Sequence, residues 1–251
     1  MRIIAIINQK GGVGKTTITA NLGHALELTG KRVMVVDLDP QGQLATCLGI
    51  FKPPVKGIDV VLLENRPMQS VCIHSRDNMV LLPAGARLSE VEHLNDGGTA
   101  RARLLDEAIK RDCPDQDFIL IDCPPASGLL SANAILAADE VLIPVSGDYL
   151  ALSGVAHLLS TIKRFESLRS QVLQKWVVVS RYHTRRRLSR EVRQKLLSHF
   201  PGKVMTTPIR EVAALAECPA VGRTIFEYRR SSNSVQDFQQ LAQDILERRA
   251  L

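Results

Sequence analysis

Ile3-Ile4-Ala5-Ile6-Ile7, followed by Asn8-Gln9-Lys10-Gly11-Gly12-Val13-Gly14-Lys15-Thr16-Thr17, decides how this chain folds. The first five residues are an unbroken apolar run, the pattern of a strand buried on both faces. Thr16 to Leu28 has the pattern of a helix. A buried strand, a glycine-rich turn and a helix N-terminus make a phosphate cradle. Backbone N–H groups converge on anionic oxygens, and the positive end of the helix dipole faces the same point. Gly11, Gly12, Val13, Gly14, Lys15, Thr16 and Thr17 are therefore the candidate nucleotide-binding residues. Lys15 is placed to reach the β- and γ-phosphates and the Thr16 hydroxyl to ligate Mg²⁺. A nucleoside triphosphate is the implied ligand.

The loop departs from the ordinary pattern G-x-x-x-x-G-K-[ST], because Gln9 stands where the first glycine belongs. A second lysine, Lys10, sits at its mouth. The dinucleotide fingerprint G-x-G-x-x-G fails too, since Thr17 takes the third glycine position.

Beyond the loop, strand-like and helix-like segments alternate. Apolar strand candidates are 3–7, 33–37, 79–82, 118–122, 141–145, 175–179 and 203–205, with amphipathic helices at 16–29, 100–111, 128–137, 151–166, 189–199 and 234–249. This order predicts an α/β, doubly wound, mostly parallel sheet flanked by helices. Residues 49–98 are less regular, with Lys52-Pro53-Pro54 and Asp96-Gly97-Gly98 marking loops. No repeat or linker divides the chain, so residues 1–251 are expected to form a single P-loop domain.

Composition agrees. With 45% hydrophobic residues the chain reads as soluble and globular. Five cysteines (Cys47, Cys72, Cys113, Cys123, Cys218) without a C-x-x-C pair read as reduced cytosolic thiols and argue against a zinc site. Neither a signal peptide nor an apolar run of membrane-spanning length is seen.

In a doubly wound sheet, ligands sit at the carboxyl ends of the strands. Asp37 and Asp39 follow the run 33–36, and Asp122 follows 118–121. Asp122 is expected to hold Mg²⁺ through a water, and Asp39 to position or polarise the attacking water beside the metal. Asp37 is expected to support them from behind.

Together these residues resemble a known family. Lys10-Gly-Gly-Val-Gly-Lys15-Thr-Thr is the deviant Walker A signature of the ParA/MinD ATPases. Val33 to Gly42 and Phe118 to Pro125 follow at family-like spacing. Ala132-Asn133-Ala134, Ala138 to Val145 and Glu217 to Gly222 also match, so the likeness runs from residue 2 to about 247. The resemblance is closest to short ParA-like partition and positioning ATPases without an N-terminal helix-turn-helix.

It implies an ATPase using ATP and Mg²⁺, with weak basal activity raised by DNA and a partner. Metal ligands would be Thr16, Asp39 and Asp122; catalytic residues would be Lys10, Lys15 and Asp39. Lys10 would be the signature lysine that reaches the partner subunit's nucleotide in an ATP-dependent homodimer. A ParB-like or other cargo adaptor would stimulate hydrolysis, in a cytoplasmic, nucleoid-associated protein. Adenine contacts are implied for Pro208 and Arg210, although Ile209 here intervenes between the proline and arginine that the family places together. Ala151-Leu152-Ser153-Gly154 stands where members often have A-L-E-G.

Charge points to a second ligand. Net charge is +6, yet residues 181–230 carry 12 Lys+Arg against 4 Asp+Glu. Arg185, Arg186 and Arg187 are the densest cluster, continued by Arg190 and Arg193, with Arg223 nearer the C-terminus. Gathered cations attract phosphate backbones without reading sequence, so non-specific DNA is expected. The family segment Y-D-x-R-T-x-L-S appears here as Tyr182-His183-Thr184-Arg185-Arg186-Arg187-Leu188-Ser189. His183, Arg186 and Arg187 replace less basic residues.

Two alternatives stay open. A MinD-like membrane-associated ATPase would use a basic C-terminal helix. The helix at 234–249 instead carries Gln, Asp and Glu on its polar face, which reads as core packing. A metal- or iron–sulfur-linked ATPase of the same fold would need a cysteine partner for Cys123, and none stands at suitable spacing.

Overall fold

The computed structural model describes residues 1–94, 98–113, 115–125, 128–147 and 151–251, with no side-chain description at 151–153. Asp96 and Gly97 of the expected loop lie outside this range, as do the side chains of Ala151, Leu152 and Ser153.

Seven strands form one sheet: β1 (Arg2–Ile6), β2 (Val33–Asp37), β3 (Ile73–Arg76), β4 (Met79–Leu82), β5 (Phe118–Asp122), β6 (Glu140–Ser146) and β7 (Gln174–Ser180). Their order is β3-β4-β2-β5-β1-β6-β7. All pairings are parallel except β3 with β4. β2, β5 and β6 are buried along their whole length, which is why they read as apolar runs rather than alternating ones.

Side chains alternate across the sheet into two cores. Ile3, Ala5 and Ile7 face one core with the helices at 58–64, 104–112, 129–137, 151–166 and 187–199. Ile4 and Ile6 face the other, with the helices at 15–27, 43–47, 225–228 and 233–247.

Three expectations need correction. The segment 203–205 is not a strand. Val204 and Met205 make only isolated bridges to Val177 and Ala250, because Pro208 soon removes an N–H from any ladder along β7. The helix expected at 100–111 is two helices, Gly98–Arg101 and Leu104–Asp112. Buried Asn133 holds the break, donating to the Arg101 carbonyl (2.9 Å) and accepting from Leu105 N–H (3.1 Å). It thus serves a free carbonyl of one helix and a free N–H of the next. The third is β3, an antiparallel edge strand hidden in the region read as irregular.

The C-terminal helix, Asn233–Glu247, packs as expected. Phe238, Leu241, Ala242 and Ile245 are buried against the sheet side shared with the Lys15–Glu27 helix. No described helix is long and apolar enough to cross a membrane.

Candidate functional site

β1 ends in the centre of the sheet, between β5 and β6, and the loop 8–14 leaves from its carboxyl end. Asn8 anchors the departure. Its amide donates to the Pro144 carbonyl (2.6 Å) and its oxygen accepts from Lys10 N–H (2.9 Å). Gly12 and Gly14 take positive φ values of 72° and 90°, which L side chains disfavour, and Gly14 is the N-cap of the Lys15–Glu27 helix. No side chain caps that helix start, so its N–H groups remain available to an anion.

The Lys15 side chain is buried and folds back to the Lys10 carbonyl (3.4 Å). Burial lowers its pKa, against the opposing pull of Asp122, Cys123 and Asp39. A phosphate arriving here would restore the charge partner that burial makes scarce.

Three aspartates stand at adjacent strand ends. Asp37 and Asp122 are register partners in the β2–β5 pair. Asp37 is fully buried and accepts from Asp39 N–H and Leu44 N–H, both at 3.1 Å. It therefore shapes the loop that carries Asp39, as expected of a support residue. Burial, reinforced by Asp122, raises its pKa well above the carboxylate range. Asp39 is half-buried and accepts from Gln41 N–H (3.0 Å).

Asp122 is the open one. Thr19 Oγ reaches its Oδ1 at 3.3 Å, while its Oδ2 is buried without a partner. Burial pushes its carboxyl up to about 7, against the pull of the Thr16 hydroxyl and Lys15. An orphaned carboxylate oxygen beside a threonine hydroxyl is a hard-donor environment, and it fits Mg²⁺. The described residues contain no cluster of three His, Cys, Asp or Glu that could hold a metal. That fits an ion held mostly by phosphates and water, with Thr16, Asp122 and Asp39 beside it. The ion would neutralise charge on the phosphate oxygens.

Next to the loop lies a cleft of about 210 Å³, lined by Gly12, Thr17, Ile18, Arg181, Ile209 and Leu215 among others. Arg210, Glu211 and Val212 also line it. Its apolar walls suit a flat base, and Ile209, next to Pro208 in the chain, is one of the residues that form them. Arg210 is held by the Asp237 carboxylate through Nε (2.9 Å) and Nη2 (2.5 Å). It shapes the wall rather than projecting a spare charge.

The basic residues fall into two groups. Arg185, Arg186, Arg187 and Arg190 are exposed at and before the Arg187–His199 helix, and Arg193 is half-buried on it. That helix packs Val192 and Leu196 into one core. Arg223 is exposed on the segment between Cys218 and Ile225, which pack into the other core.

Cys123 is fully buried with its thiol on the Ile121 carbonyl (3.6 Å). Asn8, Thr19, Ser180, Arg181 and Glu211 were not singled out from sequence. For Asn8, Ser180 and Arg181 a signal existed, since each stands at or just past the carboxyl end of a strand, where ligands gather.

Comparison with known proteins places this geometry. A family described as AAA domain matches residues 1–175. The chromosome partitioning protein ParA of Caulobacter vibrioides is 37% identical over 99% of this chain and 95% of its own length. The chain belongs to the ParA family of partition ATPases. Within that family, the sporulation initiation inhibitor protein Soj of Bacillus subtilis is 35% identical over 97% of this chain and 98% of its own length. Among solved structures, cobyrinic acid a,c-diamide synthase of Mycobacterium smegmatis, with bound ADP and magnesium, superposes with a TM-score of 0.84 at 31% identity. That match covers 98% of this chain and 94% of the other. ParA-family ATPases hydrolyse ATP with Mg²⁺, and this chain is one of them.

Proposed function

We propose that the whole chain works as one ATP-driven positioning unit. ATP closes two copies into a sandwich dimer, the dimer binds DNA without sequence preference, and a partner-stimulated hydrolysis releases it. Cycles of this kind would segregate a plasmid or chromosome, or position a large cytoplasmic cargo, with a ParB-like or other adaptor as the stimulating partner. Lys15, Thr16 and the loop N–H groups hold the triphosphate, Asp122 and Thr16 the Mg²⁺, and Asp39 the attacking water. Lys10 supplies a cation across the two-fold axis, as an arginine finger does in other P-loop enzymes.

The observation that carries this reading is the orphaned Oδ2 of Asp122, buried beside Lys15 and the two threonine hydroxyls. Exposure of Arg185, Arg186, Arg187 and Arg190 supports the DNA step. Burial of the apolar side of the Asn233–Glu247 helix disfavours membrane attachment through it.

Sedimentation of the full chain with ADP, and with a non-hydrolysable ATP analogue, tests the cycle. Dimers are expected only with the analogue, and DNA should co-sediment only with them. A single-copy species in both nucleotides would overturn the reading.

A further inference from the structure

Two peptide units of the phosphate loop are held from behind. The Gly12 carbonyl accepts from Arg181 Nη1 (3.3 Å), and the Val13 carbonyl accepts from Ser180 Oγ (2.8 Å). A peptide unit is rigid and planar. The Gly12 carbonyl is thus the far end of the unit that presents Val13 N–H, and the Val13 carbonyl the far end of the unit that presents Gly14 N–H. When a phosphate draws either N–H inward, the opposite carbonyl turns with it, and Ser180 or Arg181 must follow.

Arg181 passes the movement on. Its Nε and Nη2 donate to Glu211 Oε1 at 2.9 and 2.6 Å. The other oxygen of Glu211 meets His183 Nε2 at 2.5 Å. Burial pushes the Glu211 carboxyl up, but its bonds to Arg181 and His183 outweigh this and hold its pKa below the usual carboxylate range. Arg181 has a positive φ of 49°, a conformation costly for a side chain of its size that persists where surrounding bonds impose it. Backbone bonds join the same segments, Tyr182 N–H to the Ile209 carbonyl (2.9 Å) and Glu211 N–H to the Tyr182 carbonyl (3.1 Å).

The far end of this path is the arginine run. Arg186 N–H donates to the His183 carbonyl (3.1 Å), and Arg190 Nη1 to the Thr184 carbonyl (3.0 Å). His183 lies in one of the two segments where the chain departs from the family order, and Glu211 follows the other, displaced by Ile209. The two departures are distant in sequence and in contact in the fold.

We infer that Glu211, gripped by Arg181 and His183, is a positioning residue that links the phosphate loop to the arginine run, so that nucleotide in the loop orders residues 182–190. The role assigned to those arginines rests on the DNA reading above; the link itself does not.

Hydrogen exchange of the full chain, without nucleotide and with a non-hydrolysable ATP analogue, tests it. In the wild type, amides 182–190 should exchange roughly fivefold more slowly with the analogue than without nucleotide. His183→Asn, which lies outside the nucleotide cleft, should erase most of that difference while basal turnover stays within about twofold. Glu211→Gln should erase it as well and raise KM for ATP more than it lowers kcat, a split that a general loss of folding would not produce. An unchanged difference in both variants, or none in the wild type, overturns the link. DNA retention of the wild type is measured in parallel. Should DNA fail to bind while the exchange difference is present and lost in the variants, the DNA reading falls and the link stands.

Discussion

Asp37 and Asp122 are side-by-side partners on neighbouring parallel strands, and both are buried. Their surroundings give them different tasks. Both oxygens of Asp37 are taken by backbone N–H groups of the loop that follows it, whereas Asp122 keeps one oxygen without a partner. One carboxylate builds the wall of the site; the other faces into it.

Removing the Asp39 carboxylate is expected to separate binding from turnover. Asp39→Ala should slow phosphate release about 100-fold or more. ATP affinity, read by calorimetry, should change by no more than about threefold. Equal losses in both would place Asp39 in ground-state binding instead.

Lys15→Ala is expected to remove nucleotide affinity, since truncating one partner of a buried charge pair costs about 2–5 kcal/mol. Titration with a fluorescent ATP analogue checks this. Undiminished binding would refute the assignment of the loop.

Reversing Arg185, Arg186 and Arg187 to glutamate should weaken DNA retention and flatten its salt dependence. Each lost phosphate contact lowers the slope of log affinity against log salt by about 0.9. A slope equal to that of the wild type would remove these residues from the interface.

His24 gives a pH-dependent stability. It is buried against Phe226 and Thr224, with Nδ1 2.6 Å from the Thr224 hydroxyl. Burial, helped by Arg76, lowers its pKa from 6.5 to about 4. The folded state thus prefers the neutral ring, while the unfolded chain takes up its proton near pH 6.5. The stability His24 contributes is full above about pH 6.5 and is lost as pH falls toward 4. Melting temperature should fall over that window, and His24→Gln should make the fall shallower.

Glu140 is fully buried at the start of β6, where Arg2 donates to it through Nε (2.7 Å) and Nη2 (2.9 Å), and the Trp176 indole N–H reaches it at 2.6 Å. Glu140→Ala would leave these three N–H donors without their acceptor and cost about 3 kcal/mol or more. For a chain of this size that is a fall in Tm of roughly 6–12 °C. Glu140→Gln, which keeps an acceptor, should fall by less.

The phosphate loop, six of the seven strands and the aspartate pair were legible in sequence because each depends on local pattern: apolar runs, glycine spacing, and an acid at a strand end. What was not legible depends on tertiary contact. The break in the 98–112 helical region is made by Asn133, about thirty residues away. β3 is short and partly exposed, so its residues lack the apolar run that marks the buried strands. Arg210, implied by the resemblance as an adenine contact, is paired with Asp237 on the Asn233–Glu247 helix, a partner that only the fold brings to it.

The antiparallel β3 at one margin of the sheet is four residues long, and its register slips between His74 and Arg76. At the other margin, the stretch around Val204 to Arg210 leans on β7 in single bridges. Neither border offers a long, regular row of donors and acceptors onto which another molecule could add a strand. Edge-to-edge pairing of copies into fibres is thereby disfavoured at both margins of the sheet.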